Sequence, residues 1–372
     1  MKKRELYLCN TVYQVLVALW IKYHYESETE ADLIISNHMN GGVDIANRIR
    51  TYGQFDKVFF AETLDVARYR VSQSRAEELT GNLFPVRQLR KLVAIDRKYT
   101  DLYAANFDGF TQMLFNALSR KNPGLKLHIF EDGLSTYCSF EPYYRSMKNY
   151  YYDTSKSTQH PIKTFIRDKV YKKRLIFGNI SRILVFNPDV MRWNPGCEIF
   201  GMDKIDRNDL FFRNMVNQIF GYEYSTDCYD RKYLFFEESF YADGYAINDV
   251  ELVEKLASHV GKENIMIKIH PRNPENRFAA LGYKTNRDTS IPWEVIMMNM
   301  GNISDMVFVT VASSAILNPI MIFGLKIRAY SLYPCLSTVP STLQGQSWAF
   351  LEELFNKYAD MITLVHEIDL IK

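Results

Sequence analysis

Short apolar runs alternate with longer helical runs along nearly the whole chain, and this alternation confines the fold to the parallel α/β class. In the first half, strand-like runs fall at 5–9, 32–36, 57–60, 101–105 and 126–130, separated by helical patterns at 11–23, 43–52, 107–118 and 136–147. These strands are apolar along their length rather than polar at every second residue. Strands covered by helices on both faces read this way. A second series follows: strands at 233–237, 265–269, 306–310 and 326–330, with helices at 249–259, 292–300, 313–323 and 347–358. A chain of 372 residues exceeds one ordinary core, so each series is expected to form its own Rossmann-like domain, the two parallel sheets facing each other across a cleft. The expected boundaries are 1–204 and 205–346, with 347–372 supplying a helix that crosses back to the first domain.

The least regular stretch lies between the two series, at 149–206. Within it, 163–182 carries Lys163, Arg167, Lys169, Lys172, Lys173, Arg174 and Arg182 against Asp168, with Phe165, Ile166 and Val170 interleaved. A solvated helix face packed on its own domain explains this pattern. Peripheral contact with an anionic membrane surface is the alternative.

Composition narrows the function classes. Lys and Arg number 45 against 43 Asp and Glu, a net charge of +2, which does not fit a dedicated nucleic-acid binder. Cys9, Cys138, Cys197, Cys228 and Cys335 are scattered and lack Cys-x-x-Cys spacing, so free thiols in a reducing cytoplasm are expected rather than a disulfide frame or zinc site. Lys2, Lys3 and Arg4 precede an apolar run at 12–21 that mimics a secretion signal. Asn10, Thr11 and Gln14 interrupt it, however, and no small-residue cleavage site follows. No window reaches the apolar length of a membrane-spanning helix.

The candidate chemistry lies at strand ends. The run Ile265-Met266-Ile267-Lys268-Ile269 stops at His270-Pro271-Arg272. In a parallel sheet the carboxyl end of a strand is where ligands sit, and a histidine beside an arginine suits an anionic, phosphorylated group. An exposed surface turn is the plain alternative. Glu131-Asp132-Gly133 follows 126–130, where a carboxylate can hold or deprotonate a substrate hydroxyl and glycine permits close approach; Asp-Gly is also an ordinary turn pair. At Thr310-Val311-Ala312-Ser313-Ser314-Ala315 a strand passes into a helix, giving backbone N–H groups and two hydroxyls for an anion, or a simple N-cap. Asp243 lies in the loop after 233–237, and Glu294 opens a helix, where it can accept from ribose hydroxyls. The sequence lacks an Asp-x-Asp triplet, a Walker A loop, Gly-x-Gly-x-x-Gly and Gly-x-Ser-x-Gly.

Together these patches resemble glycosyltransferase family 52, bacterial enzymes dominated by lipooligosaccharide sialyltransferases. Asn10-Thr11-Val12-Tyr13-Gln14 is similar to that family's Thr-x-x-Gln opening. Phe130-Glu131-Asp132-Gly133 is similar to its acidic-acidic-Gly motif, His270-Pro271-Arg272 to its His-Pro-Arg, and Ser313-Ser314-Ala315 to its phosphate loop. The resemblance implies a GT-B architecture, CMP-sialic acid as donor, inversion at the anomeric carbon, no metal or other cofactor, and a homodimer. It implies that His270 protonates or hydrogen-bonds the departing phosphate, that Ser313 and Ser314 hold its other oxygens, that Arg272 adds positive charge, and that Glu294 binds ribose. It favours Asp243 as the base. Asp132 is the rival, because the acidic-Gly motif supplies the base in related sialyltransferases. The expected acceptor is a terminal galactoside of a bacterial surface glycan, joined by an α-2,3 linkage, with the enzyme cytoplasmic or on the inner face of the membrane. A GT-B transferase using another activated sugar, such as a glucosyltransferase, and a non-catalytic nucleotide- or glycan-binding relative are the alternatives.

Overall fold

A computed structural model of the chain describes residues 2–64, 80, 81, 83–138, 162, 165–174, 176, 178–194, 196–224, 227–301 and 303–372. It divides into two compact units, Met1–Asp203 and Lys204–Lys372; the sequence places the boundary after residue 204.

The first unit is built on seven parallel strands: β1 (Arg4–Cys9), β2 (Glu30–Ser36), β3 (Lys57–Ala61), β4 (Asp101–Ala104), β5 (Lys126–Phe130), β6 (Ile180–Val185) and β7 (Glu198–Gly201). Their order is β3-β2-β1-β4-β5-β6-β7. The reversal of direction between β1 and β4 is the switch point of a Rossmann-like sheet, where a crevice opens at the strand ends. Leu6, Leu8, Leu33, Ile35, Leu102 and Ile129 are fully buried on the two faces of the sheet, and the helix Val12–His24 adds the buried Val15, Leu16 and Leu19 to the core. Capping fixes where helices start: Thr11 accepts from Gln14 N–H, and Asp108 from Thr111 N–H at the head of Gly109–Lys121.

Two strands, β6 and β7, stand in the stretch read as irregular. They are partly exposed, and Arg182 on one pairs with Glu198 on the other at 2.9 Å. Charged, half-exposed strands at and next to a sheet edge lack the continuous apolar run by which a central strand is recognised. Of the helix expected at 136–147, Ser135–Cys138 is helical and 139–147 lies outside the described residues. The basic segment is likewise described only in part, and Lys163 is among the residues left out. Arg174 binds its own unit: its guanidinium donates to Pro123 O and Asn179 Oδ1, both at 2.7 Å, and lies over the Phe115 ring. Phe165 and Val170 are exposed.

The second unit repeats the plan with β8 (Tyr233–Phe236), β9 (Ile265–Lys268), β10 (Lys284–Thr285), β11 (Val307–Thr310), β12 (Arg328–Ser331) and β13 (Ile362–Leu364). All pairs are parallel, in the order β10-β9-β8-β11-β12-β13. Central strands β8, β9 and β11 are buried at every residue. The segment 347–372, expected as a returning helix, belongs to this unit. The helix Gln346–Lys357 leads into β13, which extends the sheet beside β12. Among the described residues no helix is long and apolar enough to cross a membrane.

The expected helix over 313–323 is interrupted. Ser314–Ile316 forms a single 3-10 turn, and the α-helix begins only at Asn318. Pro319 explains the break, because without an N–H it cannot donate to Ala315 O in an α-helical turn. The freed carbonyl accepts from the Trp293 indole N–H at 3.2 Å instead.

Candidate active site

In the second unit the chemistry gathers where β9, β8 and β11 end side by side. β8 runs out into Glu237 and Glu238. Successive side chains of an extended segment point to opposite sides, and these two carboxylates part accordingly. Glu237 turns to the exit of β9, accepting His270 N–H at 3.1 Å and the Arg277 guanidinium at 2.8 Å. Arg277 also donates to Asp249 at 2.6 Å, completing an ionic cluster in which both carboxylates are buried. Glu238 turns to the exit of β11, where one oxygen accepts the Thr310 hydroxyl at 2.5 Å and Ala312 N–H at 2.6 Å. Thr310 Oγ1 accepts in turn from Ser313 N–H at 3.0 Å. Burial raises the Glu238 carboxyl to about 7, against the lowering effect of these two donors; Asp249 adds to the rise.

His270 is half-buried. Its Nδ1 accepts Arg272 N–H at 3.2 Å, so the ring proton of the neutral form lies on Nε2. Burial, then the charges of Arg272 and Lys268, push the imidazole down to about 4, with Asp243 opposing. Near neutral pH the ring is therefore an uncharged Nε2–H donor. Pro271 and Arg272 are exposed. The Arg272 guanidinium grips Asp243 with two bonds of 3.1 and 3.2 Å and donates to Ser239 Oγ at 2.6 Å; Ser239 itself donates to Asp243 at 2.8 Å. Both oxygens of Asp243 are thus engaged by charged or hydroxyl donors. Gly244 closes the turn at φ +78, a conformation that side chains rarely adopt.

Ser313 Oγ accepts Ala315 N–H at 3.3 Å, and Ser314 is exposed at the turn. Glu294 is buried and accepts from the Asn318 side chain; burial raises its carboxyl while Lys268 and Asn318 oppose. Lys268 is buried two residues before His270, and burial lowers its ammonium despite the attraction of Glu294.

In the first unit the site is built at the ends of β1, β4 and β5. Asn10 N–H donates to Gln14 Oε1 at 2.6 Å, and the Asn10 amide donates to Asn106 at 3.1 Å and Asp108 at 2.8 Å. Thr11 is exposed and serves as the helix cap. Glu131 is buried, and its oxygens are taken by the hydroxyls of Tyr13 (2.8 Å) and Tyr137 and by Phe186 N–H (2.9 Å). Asp132 behaves differently. Its backbone N–H donates to Thr136 at 2.6 Å, while burial raises its half-buried carboxyl, opposed by Gln14. Asn10 Oδ1 is buried with no hydrogen-bond partner. An orphaned polar atom at the same strand ends as a carboxylate of raised pKa marks a place where a polar ligand can supply what the fold does not. Gly133 turns the chain at φ +62, and a Cβ there would meet nothing within 4 Å, so its backbone conformation is what requires glycine.

The structure thus gathers His270, Pro271, Arg272, Asp243, Ser313, Ser314 and Glu294 in one unit, and Asn10, Thr11, Gln14, Glu131, Asp132 and Gly133 in the other. Sequence reasoning passed over Glu237, Arg277, Asp249, Lys268, Asn318 and the bonding of Glu238. One signal was available, since Phe236-Glu237-Glu238 repeats the Phe130-Glu131-Asp132 pattern at a strand end.

Comparison with known proteins places these observations. The family model described as alpha-2,8-polysialyltransferase (POLYST) matches residues 5–330. No curated protein matches the chain by sequence. Among solved structures, spinosyn forosaminyltransferase SpnP aligns with a TM-score of 0.50 at 9% identity, covering 99% of this chain and 89% of that one. The GT-B domain of a sialyltransferase from Photobacterium damselae gives 0.47 at 10% identity, covering 97% and 99%. LpCGTa in complex with UDP gives 0.48 at 9%, covering 98% and 85%. Such identities speak to fold alone. With the two sheet orders, the fold class is GT-B, two Rossmann-like units.

Proposed function

Because the chain belongs to the alpha-2,8-polysialyltransferase family, we propose that this sialyltransferase-like glycosyltransferase takes CMP-sialic acid as donor and inverts the anomeric carbon without a metal ion. The observation that carries this reading is the state of His270, a neutral ring whose proton is fixed on Nε2 by the Arg272 backbone N–H at Nδ1. As the glycosidic bond to phosphate breaks, charge builds on the departing CMP oxygen. A fixed Nε2–H donor at that oxygen stabilises the charge by hydrogen bonding, and the ring stays neutral as the phosphate leaves. Arg272 and the Ser313–Ser314 turn supply donors for one phosphate, a load that needs no divalent ion.

The acceptor hydroxyl must lose its proton as the new bond forms. Asp132 suits that role better than Asp243, the residue favoured by the sequence resemblance. Asp243 has both oxygens engaged by Arg272 and Ser239, whereas the Asp132 carboxyl is raised by burial and accepts a proton more readily. The family description supports a sialic acid acceptor and an α-2,8 linkage over the galactoside and α-2,3 linkage expected from sequence. Calorimetric titration with CMP, UDP and GDP tests the donor, with CMP alone expected to bind. Incubation of CMP-sialic acid with an α-2,8-linked sialoside and, separately, a terminal galactoside, read by NMR with and without EDTA, tests the rest. Tight binding of UDP in place of CMP, or turnover abolished by EDTA and restored by magnesium, overturns the reading.

A further inference from the structure

We propose that the adjacent glutamates Glu237 and Glu238 are positioning residues that fix the His270 turn and the 310–314 turn from one central strand; the inference rests on the donor-site reading above. β8 lies between β9 and β11, so it alone borders both turns. Its paired residues end at Phe236, opposite Lys268 on one side and Thr310 on the other, and a last backbone bond runs from Glu237 N–H to Lys268 O at 3.0 Å. Beyond that bond, side chains rather than strand pairing tie β8 to the two turns: Glu237 holds His270 N–H at 3.1 Å, and Glu238 holds Thr310 Oγ1 and Ala312 N–H at 2.5 and 2.6 Å.

The bonds are specific to their jobs. The N–H that Glu237 accepts is that of His270 itself, so the carboxylate sets the height of the imidazole above the sheet. Arg277 locks Glu237 from its other oxygen and ties it to Asp249. Glu238 reaches the peptide N–H just before Ser313 and the hydroxyl that accepts Ser313 N–H. It therefore sets the path of the backbone on which both serines ride. One carboxylate governs the donor to the leaving oxygen, and its neighbour governs the cradle of the phosphate.

That division gives the two residues different kinetic signatures. Glu238→Ala should weaken CMP binding about 10- to 100-fold, the loss expected when charge-assisted hydrogen bonds are broken and their donors stranded. Glu238→Gln, which keeps an acceptor for Ala312 N–H, should stay within about threefold of the parent. Glu237→Gln should lower kcat about tenfold or more while leaving CMP affinity within about twofold, because it disturbs His270 and not the phosphate turn. Amide exchange followed by mass spectrometry reads the same division without any ligand. Peptides spanning 310–315 should exchange faster in the Glu238→Ala protein, and those spanning 268–273 faster in the Glu237→Gln protein. If both turns loosen equally in both variants, or neither does, the pair is ordinary scaffolding and the proposal fails. If the parent protein binds no CMP, the donor reading fails, and the exchange pattern still decides whether these glutamates position the turns.

Discussion

Two strands, β5 and β8, end in nearly the same three residues and put them to different use. Phe130-Glu131-Asp132 and Phe236-Glu237-Glu238 each bury the phenylalanine and the first carboxylate. In both cases that first carboxylate is fully engaged, by two tyrosines and a backbone N–H in one unit and by Arg277 and His270 N–H in the other. The second carboxylates diverge. Glu238 is spent on the fold, bonded to Thr310 and Ala312. Asp132 faces the Gln14 amide, which opposes the rise in its carboxyl, and Asn10 Oδ1 at the same strand ends is buried without a partner. A carboxylate committed to its own backbone orders a loop. Burial raises both carboxyls, and it is Asp132, facing a side-chain amide rather than bonded into a backbone turn, that retains the capacity to take a proton.

Substituting the second carboxylates tests this contrast most strongly. Asp132→Asn should reduce transfer by about 100- to 10,000-fold, the range for loss of a general base, with CMP affinity near that of the parent. Asp243→Asn should cost about tenfold, through a loosened Arg272, since its oxygens already serve that ion pair. Steady-state kinetics with CMP-sialic acid, alongside CMP calorimetry, would measure both. A dead Asp243→Asn enzyme with a normal Asp132→Asn enzyme reverses the assignment and breaks the contrast. His270→Ala belongs to the same class of effect, about 100-fold or more in turnover. For the parent, kcat/KM should show no inflection near pH 6.5, because the free imidazole is pushed down to about 4.

Much of this was legible before any coordinates. Buried parallel strands announce themselves as apolar runs, and β1, β2, β4, β5, β8, β9 and β11 were all found by that signal. Of the strands passed over, β6 and β7 carry Arg182 and Glu198, and β10 and β13 are two and three residues long, so no run marks them. At the site, His270 and Ser313 were visible because they break a pattern at a strand's end. Glu237 was not, since its importance depends on which strands flank β8, a property of sheet order rather than of local sequence. The helix expected over 313–323 starts only at Asn318 because Pro319 lacks the N–H an earlier start needs, and the serines' capping preference does not reveal this.

Stability should follow pH in a way that distinguishes the two units less than their activity does. Burial raises Glu5, at the start of the sheet in the first unit, to about 7, as it does Glu238 in the second. A carboxyl whose folded pKa lies above its unfolded value contributes most below the unfolded value, and that contribution is lost as pH rises through the folded one. The parent should therefore lose stability from these groups between pH 4.5 and about 7. Glu5→Gln and Glu238→Gln should each flatten that decline, raising Tm relative to the parent at pH 8 by about 5 °C or less and leaving it little changed at pH 4. A larger gain at pH 4 than at pH 8 would contradict the sign.

The smallest expected effect concerns the turn that Pro319 forces. Ala315 O loses its helical donor to the proline and recovers one from the Trp293 indole. Trp293 also packs edge-on against Phe236 and Phe308, with ring centroids 4.9 and 5.8 Å away. Trp293→Phe keeps much of the aromatic packing and removes the N–H, so it leaves the Ala315 carbonyl without that partner. Such a loss costs about 1 kcal/mol, divided between global stability and the geometry of the serine turn. CMP affinity should fall about two- to fivefold, with kcat changed less. Because Glu238 holds the same turn from its other side, at Ala312, the Trp293→Phe and Glu238→Ala effects should be non-additive when combined. A double variant whose CMP affinity equals the product of the two single losses would show that the turn's two anchors act independently, and that Glu238 shapes less of the turn than its bonds suggest.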